Sequence, residues 1–592
     1  MRGAEQRHAL VLGASGFIGR HVVLALGRAG VRVSTGNRSR ESHRRLARWL
    51  AERGYEGAPA DLRVDFATAS LVQGACEDVT EIYNCAGAFR FGMSVEEARR
   101  ANVDSVRAVV GFAARLPRLR RLVQISGYRV GGQDPTPWSE EQRRATYRAL
   151  GAYEASRVEA DAVFQELAAR AGVAWSIVNP ASVIGDSATG ESDQYLGLAS
   201  SLRDLWRGSL PALPGNARTF VPVVAVDHLA RFMALLPTDP AAENTAYWLL
   251  DDGTPALPDL LTLVAGHYGV EAPRARIPVP LLKRLPRRLT RADPETLTFL
   301  SADRYPTASA HAFAARHGLA APDTATTIRR WADHLAAHRF GDAPAPDRRF
   351  TTTGGIRTFE LGAAGAATVV LPGLPVNADT WVPVVTALGD ARAVDLPGLG
   401  MSAGGREDWA SWSAALVTGG GARHLVGHSL GAAAALEAAA AHPGAVDRLT
   451  LVSPFFLQAP PPRTATWTPL TRRVLRRITP TALAGRLTGT AEHAPALLPA
   501  VADLRRGTVA ATTARLLAAT ADPLWRAGLR ARLREYPGRV HLVIGSDDPL
   551  TAGGQALLEA LPRATVTVID GAGHHPQLTH PQDVAQAVRE RP

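Results

Sequence analysis

The sequence predicts an α/β protein with two doubly wound, mostly parallel sheets, one in each half of the chain. Three observations predict it. Short apolar runs alternate with helically spaced stretches in both halves, the pattern of strands joined by crossover helices. A glycine cluster, GASGFIG at Gly13 to Gly19, directly follows the first apolar run. A second cluster, GHSLG at Gly427 to Gly431, directly follows another. At 592 residues the chain is also longer than one hydrophobic core usually supports, so two or three domains are expected.

The elements follow in order. HALVLGAS, VRVST, EIYNCAG, RLVQIS and WSIVNP read as strands of the first sheet, with helical spacing over 20–29 and 153–171. Residues 185–341 are less regular and read as a substrate-side subdomain appended to the sheet, giving a first domain over 1–341. GDAPAPDRR, Gly341 to Arg349, combines proline, alanine and charge and is the expected linker, set at 342–349. The rhythm then restarts over 350–592 with ATVVLPG, RAVDLPG, RHLVGHS, RLTLVSP, VHLVIGS and TVTVIDG. Residues 455–527 interrupt it with a Pro- and Arg-rich, helically patterned insertion, read as a lid.

Composition narrows the function classes. The 46% apolar and 20% charged content is that of an ordinary soluble protein. No stretch approaches the ~18 uncharged apolar residues of a membrane span. The first apolar run, Ala9 to Leu12, is needed as a strand, so no signal peptide is expected. Cys76 and Cys85 lack zinc-type spacing and form no disulfide framework, which fits a reducing cytoplasm. The net charge of +11 is carried almost wholly by scattered arginine, Lys283 being the single lysine. That is compositional bias rather than a nucleic-acid-binding patch. The His-rich end GHHPQLTH lacks paired Cys or carboxylate spacing, so no metal is expected.

GASGFIG lies between a strand and a helix, where glycines allow a tight turn and close approach of a pyrophosphate. The helix N-terminus there supplies N–H donors and positive potential. Gly13, Ser15, Gly16, Phe17, Ile18 and Gly19 are the expected cradle. The next strand ends not in the Asp or Glu of an NAD site but in Asn37 and Arg38. A guanidinium suits a 2′-phosphate, so NADP is favoured over NAD.

The first half resembles an extended short-chain dehydrogenase/reductase, a Rossmann-type fold. The glycine motif, Asp65, NCAG at Asn84 to Gly87, Asn102 and Tyr153-x-x-x-Arg157 occur in that family's order. Asn179-Pro180 followed by Val183-Ile184-Gly185 resembles its segment beside the nicotinamide. The resemblance implies that Asp65 and Phe66 lie near the adenine and that Ala86, Gly87, Pro180 and Val183 line the cofactor. It makes Tyr153 the general acid/base. The family's lysine position is Arg157 here, which keeps the cation but not the ammonium geometry. The family's catalytic hydroxyl aligns with Gly127. Ser126 stands one residue early, where strand alternation turns it away, so a slight shift or the Tyr128 hydroxyl would have to compensate.

GHSLG has the strand–turn–helix context of a nucleophile elbow, and residues 350–592 resemble the α/β-hydrolase fold. Its chain order of Ser, acid, His is present. By register the resemblance assigns Ser429 as nucleophile, Asp548 as acid and His574 as base, with Asp547 and His575 as the confusable neighbours. The N–H of Leu430 and, from the loop VVLPGLP, that of Leu374 are the implied oxyanion donors. DLPGLGMS, Asp395 to Ser402, matches a further loop of that family.

The resulting expectation is a bifunctional enzyme. An NADP(H)-dependent carbonyl reductase or alcohol dehydrogenase precedes a serine esterase or thioesterase acting on a small-molecule metabolite such as a lipid or polyketide. Two alternatives stay open: a working hydrolase with a catalytically weak nucleotide-binding module, and a nucleotide-sugar epimerase or dehydratase in the first half. Reductases of the first type often pair subunits, so a homo-oligomer is also open.

Overall fold

A computed structural model describes residues 6–66, 68, 71–87, 92–131, 137–284, 297–343, 347–461, 466–548 and 564–590. The chain forms two compact units. The first comprises Met1–Leu202, Pro211–Val264 and Ala272–Leu335, the second Arg203–Leu210, Ala265–Glu271 and Ala336–Pro592.

In the first unit the strands are β1 (His8–Leu12), β2 (Arg32–Asn37), β3 (Ala60–Val64), β4 (Val72–Gln73), β5 (Glu81–Asn84), β6 (Arg121–Ile125), β7 (Trp175–Pro180), β8 (Ser182–Ile184), β9 (Leu213–Pro214), β10 (Val223–Ala225), β11 (Thr245–Leu249) and β12 (Arg276–Ile277). The main sheet runs β11-β7-β6-β5-β1-β2-β3-β4. Its pairs are parallel except β3 with β4. Two small pairs, β8 with β10 and β9 with β12, lie outside it.

Strand alternation explains why both faces of this sheet are covered. Ala9 and Val11 pack with Val22, Leu26 and Val33 on one face. Leu10 and Leu12 pack with Ile82, Val106 and Phe164 on the other. A strand apolar on both faces must sit between two helical layers. The order of connection reverses between β1 and β5. That reversal is the switch point at which open α/β sheets bind ligands, and Gly13 leaves β1 beside it.

In the second unit the strands are β13 (Arg348–Thr353), β14 (Ile356–Gly362), β15 (Thr368–Leu371), β16 (Ala391–Val394), β17 (His424–His428), β18 (Arg448–Val452), β19 (Arg539–Gly545) and β20 (Ala564–Ile569). Their order is β13-β14-β16-β15-β17-β18-β19-β20, antiparallel from β13 to β16 and parallel thereafter. The β13–β14 hairpin carries no crossover helix and was not among the strands the rhythm suggested. Its first residues, Arg348 and Arg349, come from the segment expected as linker, of which 344–346 lie outside the described residues.

Between β18 and β19 the chain forms helices over Thr468–Arg477, Pro480–Thr488, Ala494–Leu504 and Val509–Ala519; residues 462–465 of the expected lid lie outside the described residues. These helices share an apolar cluster of Leu475, Leu483, Leu497, Leu504 and Val509 with Val376 and Leu578. Val376 and Leu578 follow Leu374 and His574 closely in sequence, which sets the insertion against both loops. No described helix is long and apolar enough to cross a membrane.

Candidate active sites

The turn from Gly427 to Gly431 keeps its two glycines because nothing larger fits there. A Cβ on Gly431 would stand 2.0 Å from the Leu371 carbonyl oxygen, and one on Gly427 would stand 2.5 Å from Ala432 Cα. The helix Leu430–Ala441 that follows is mostly alanine and is buried against the sheet. Ser429 itself takes φ 51° and ψ −107°. That is a region L-residues rarely occupy, and tight packing maintains it here.

Three separated segments converge on this serine. His574 Nε2 lies 3.1 Å from Ser429 Oγ. Its Nδ1 lies 3.1 Å from Asp548 Oδ2. The adjacent carboxylates differ in burial: Asp548 is buried while Asp547 is exposed. His575 is buried beside the His428 and His574 rings at 5.0 Å from each. Burial, then the charges of His574 and His428, hold its imidazole well below the usual range. His428 is likewise pushed down to about 3, first by burial, and its Nε2 lies 3.0 Å from the His574 carbonyl oxygen. The two flanking rings are therefore neutral, and the imidazole facing Ser429 is that of His574.

The segments carrying Leu430 and Leu374 lie next to each other. Leu430 opens the helix after the elbow, where the first N–H groups have no intrahelical acceptor. Gly373, just before Leu374, comes so close to the elbow that a Cβ on it would meet the His428 carbonyl oxygen at 2.7 Å. Beyond Leu374 the loop is fixed by Asn377 Nδ2, which donates to Asp503 Oδ2 at 2.7 Å. Asp503 also accepts from Arg339, whose guanidinium spans to Asp379 at 2.6 Å. Asp395, from the expected family loop, accepts the backbone N–H groups of Ala378 and Met401, each at 2.8 Å. Burial and the nearby Asp503 push its carboxyl up to about 7.

Sequence reasoning missed Gln458. Its amide Nε2 lies 2.6 Å from Asp548 Oδ2 and 3.1 Å from His574 Nδ1. It follows the short turn Phe455–Leu457 after β18 and belongs to no spacing motif, so nothing in the sequence marks it.

In the first unit the glycine turn closes as expected. Gly13 takes φ +74°, and a Cβ there would meet Ala86 N at 2.9 Å. A Cβ on Gly19 would meet the Gly13 carbonyl oxygen at 2.2 Å. Gly16 is the N-cap of helix Phe17–Arg28, with no side-chain cap bond, and stands exposed beside Ser15. These residues, with Ala86 and Gly87 after β5, fit a dinucleotide pyrophosphate: the close-packed glycines bring the backbone turn onto the N-terminus of helix Phe17–Arg28, whose first N–H groups suit an anion. Arg38 is exposed at the end of β2, next to Ser39, which caps helix Arg40–Ala51. Asp65 is exposed and Phe66 half-buried after β3. Pro180 ends β7 and Val183 lies in β8.

Tyr153 and Arg157 occupy the first turns of helix Ala152–Ala171, with the Arg157 guanidinium carbon 6.0 Å from the Tyr153 ring centre. A Cβ on Gly87 would stand 3.7 Å from both Arg157 Nη1 and Asn102 Oδ1. Tyr153, Arg157, Asn102 and Gly87 thus gather at one end of the strands. Asn102 sits in a π-turn, Arg100–Asp104, a distortion frequent at functional sites.

Ser126 is not presented like the family's hydroxyl. Its side chain is buried, and its carbonyl oxygen accepts from Arg157 Nη2 at 2.5 Å. Strand alternation accounts for this. The aligned residue, Gly127, has only Val130 and Arg157 side-chain atoms near its open side. Tyr128 is the other hydroxyl next to Gly127 in sequence. It is buried against Tyr305 at 5.0 Å between ring centres, and burial holds its phenol pKa above the usual range.

Comparison with known proteins follows the same division. Residues 68–233 match the family model described as male sterility protein, an NAD-binding family. Residues 368–587 match the model described as the alpha/beta hydrolase family. The pimeloyl-[acyl-carrier protein] methyl ester esterase of Methylococcus capsulatus is 31% identical over 258 residues, 39% of this chain and 96% of that enzyme. The N-formylmaleamate deformylase of Pseudomonas putida is 36% identical over 115 residues, 17% of this chain and 42% of that one. Among solved structures, the terminal R domain from the myxalamid PKS-NRPS biosynthetic pathway is 20% identical with a TM-score of 0.47, covering 58% of this chain and 94% of that one.

Proposed function

We propose, for a chain that belongs to the α/β-hydrolase family through its C-terminal half and carries a male-sterility-type NAD-binding domain in its N-terminal half, that both halves are working enzymes. The C-terminal half hydrolyses or transfers an acyl group through Ser429. The N-terminal half interconverts a carbonyl and an alcohol with NADP(H).

The observation that carries the hydrolase reading is the unbroken line from Ser429 Oγ through His574 to Asp548, with 3.1 Å at each step. His574 Nε2 takes the Ser429 proton as Oγ attacks the acyl carbonyl. Asp548 orients the ring and stabilises the imidazolium. The N–H groups of Leu430 and Leu374 receive the charge that develops on the carbonyl oxygen. His574 then returns the proton to the leaving group. The relative from Methylococcus capsulatus is named for an ester of an acyl-carrier protein, which supports an ester or thioester substrate.

In the N-terminal half the glycine turn binds the pyrophosphate, and Arg38 meets the 2′-phosphate that distinguishes NADP. When bound, the nicotinamide would supply or accept a hydride. Tyr153 holds the proton that the substrate oxygen gains or loses, and Arg157, through its charge, favours the phenolate. With domain juxtaposition as the warrant, the two reactions process one ester- or thioester-bearing metabolite such as a lipid or polyketide.

Ser429→Ala tests the reading. Turnover of 4-nitrophenyl esters should vanish while NADPH oxidation with a carbonyl panel continues. Loss of both activities in a folded variant would rule out independent sites. A second reading, a hydrolase with a nucleotide-binding module of little turnover, is favoured by Gly127, which leaves the aligned position without a hydroxyl while Ser126 is buried one residue earlier. It predicts NADPH binding without oxidation across the panel, and no gain in Arg157→Lys.

A further inference from the structure

We infer that Gln458 is a positioning residue of the hydrolase site, fixing the Asp548 carboxylate as an anion and opposing positive charge on His574. This rests on the reading of Ser429, His574 and Asp548 as the catalytic line. Two donors share one acceptor. Gln458 Nε2 lies 2.6 Å and His574 Nδ1 3.1 Å from the same oxygen, Asp548 Oδ2. The carboxylate is fully buried and, with two N–H groups pointed at it, is favoured in its charged form.

The second consequence concerns the histidine. Gln458 Nε2 is 3.1 Å from His574 Nδ1. Because Nδ1 must carry a hydrogen to reach Asp548, this is a meeting of two donors. The positive end of the amide dipole therefore faces the imidazole and disfavours its protonation. Asp548 does the opposite. Of the other groups facing His574 among the described residues, His428 and His575 are buried and neutral, and Ser429 is uncharged. Gln458 thus opposes, at Nδ1, the charge that Asp548 favours.

The backbone is arranged to hold this amide in place. Gln458 is buried at the start of the lid insertion. Its carbonyl oxygen accepts from the buried Arg526 guanidinium, which lies at the other end of the insertion. Arg526 Nη1 in turn donates to the Thr520 carbonyl at 3.0 Å. The two roots of the lid are therefore tied together at the residue that touches the catalytic acid.

Gln458→Met keeps much of the side-chain volume and removes the donor. Three measurements decide the matter: the acid limb of kcat/KM for 4-nitrophenyl butyrate, the kcat plateau with its KM, and the imidazole titration of His574 by ¹⁵N NMR, identified by its loss in His574→Gln. The acid limb and the His574 titration should both move to higher pH by about one unit, a tenfold change in proton affinity. The plateau should fall on the order of 10–100-fold with KM within about twofold, as for a misplaced catalytic group. Gln458→Asn, which retains a donor, should recover part of both. A lower plateau with an unmoved acid limb and unmoved titration would reduce Gln458 to a packing residue and overturn the inference. Should the wild-type protein show no ester turnover, the catalytic reading fails, and the NMR titration alone still decides what Gln458 does to His574.

Discussion

Gly373 lies so close to Ser429 that a methyl group on its Cα would stand 2.7 Å from the serine Cβ. The loop that carries Leu374 can therefore approach the nucleophile only because residue 373 has no side chain. Gly373→Ala should push Leu374 away from the developing oxyanion. We expect kcat for ester hydrolysis to fall on the order of 100-fold or more, the cost of losing one oxyanion donor, with little change in KM. Steady-state kinetics beside a circular dichroism spectrum would check it, since an intact fold with unchanged kcat contradicts the assignment.

Adjacent carboxylates should behave very differently. Asp548 is buried at His574 while Asp547 is exposed. Asp548→Asn should lower kcat on the order of 10⁴-fold, as expected when the base is held in the wrong tautomer. Asp547→Asn should leave it within about twofold, as for most surface changes. Equal losses in the two variants would remove Asp548 from its role.

Arg38 is exposed at the end of β2. On the proposed NADP reading, a guanidinium there would meet the 2′-phosphate through charge-assisted hydrogen bonds worth roughly 1.5–3 kcal/mol. Arg38→Ala should therefore weaken NADPH by at least about tenfold and leave NADH nearly unchanged, as read by cofactor fluorescence titration. Parallel weakening of both cofactors would place the 2′-phosphate elsewhere.

Tyr153→Phe removes the phenol and leaves the ring that packs with Met93 and Ala98. NADPH-dependent turnover should drop on the order of 10²–10⁴-fold, the range for losing a general acid/base, while NADPH affinity stays within about twofold. Undiminished turnover would assign the proton transfer to another group.

Acid sensitivity should come from buried histidines distant from the chemistry. Burial, then the charge of Arg448, pushes His424 on β17 down to about 3. Its folded value is below the unfolded value of about 6.5, so the unfolded chain binds the extra proton between those limits. Stability from this group is present above pH ~6.5 and is lost as pH falls toward ~3, at up to about 1.4 kcal/mol per pH unit. Urea midpoints of the second unit should decline across that window, and His424→Gln should decline less steeply. Identical slopes would remove His424 from the account.

Much of the architecture was legible because it rests on local patterns. The strand runs that were marked, the two glycine turns and the insertion between β18 and β19 all depend on residues near one another in sequence, whereas β3, β4 and β11 of the first sheet were not among the marked runs. The β13–β14 hairpin was not legible, since it breaks the strand–helix rhythm by pairing directly. Ser126 was legible as one residue out of register, and its burial is what strand alternation predicts. Gln458 could not be found, because a lone glutamine after a strand has no signature until Asp548 is brought beside it.

The sequence by itself determined two α/β sheets, a dinucleotide-type turn at Gly13 to Gly19 and a serine elbow at Gly427 to Gly431, because each turn needs its glycines within a few residues of one another. The tertiary structure alone decided that Asp548 rather than Asp547, and His574 rather than His575, meets Ser429, and that Gln458 joins them. Those choices depend on burial and on side-chain direction across segments far apart in the chain, and neither is encoded in spacing.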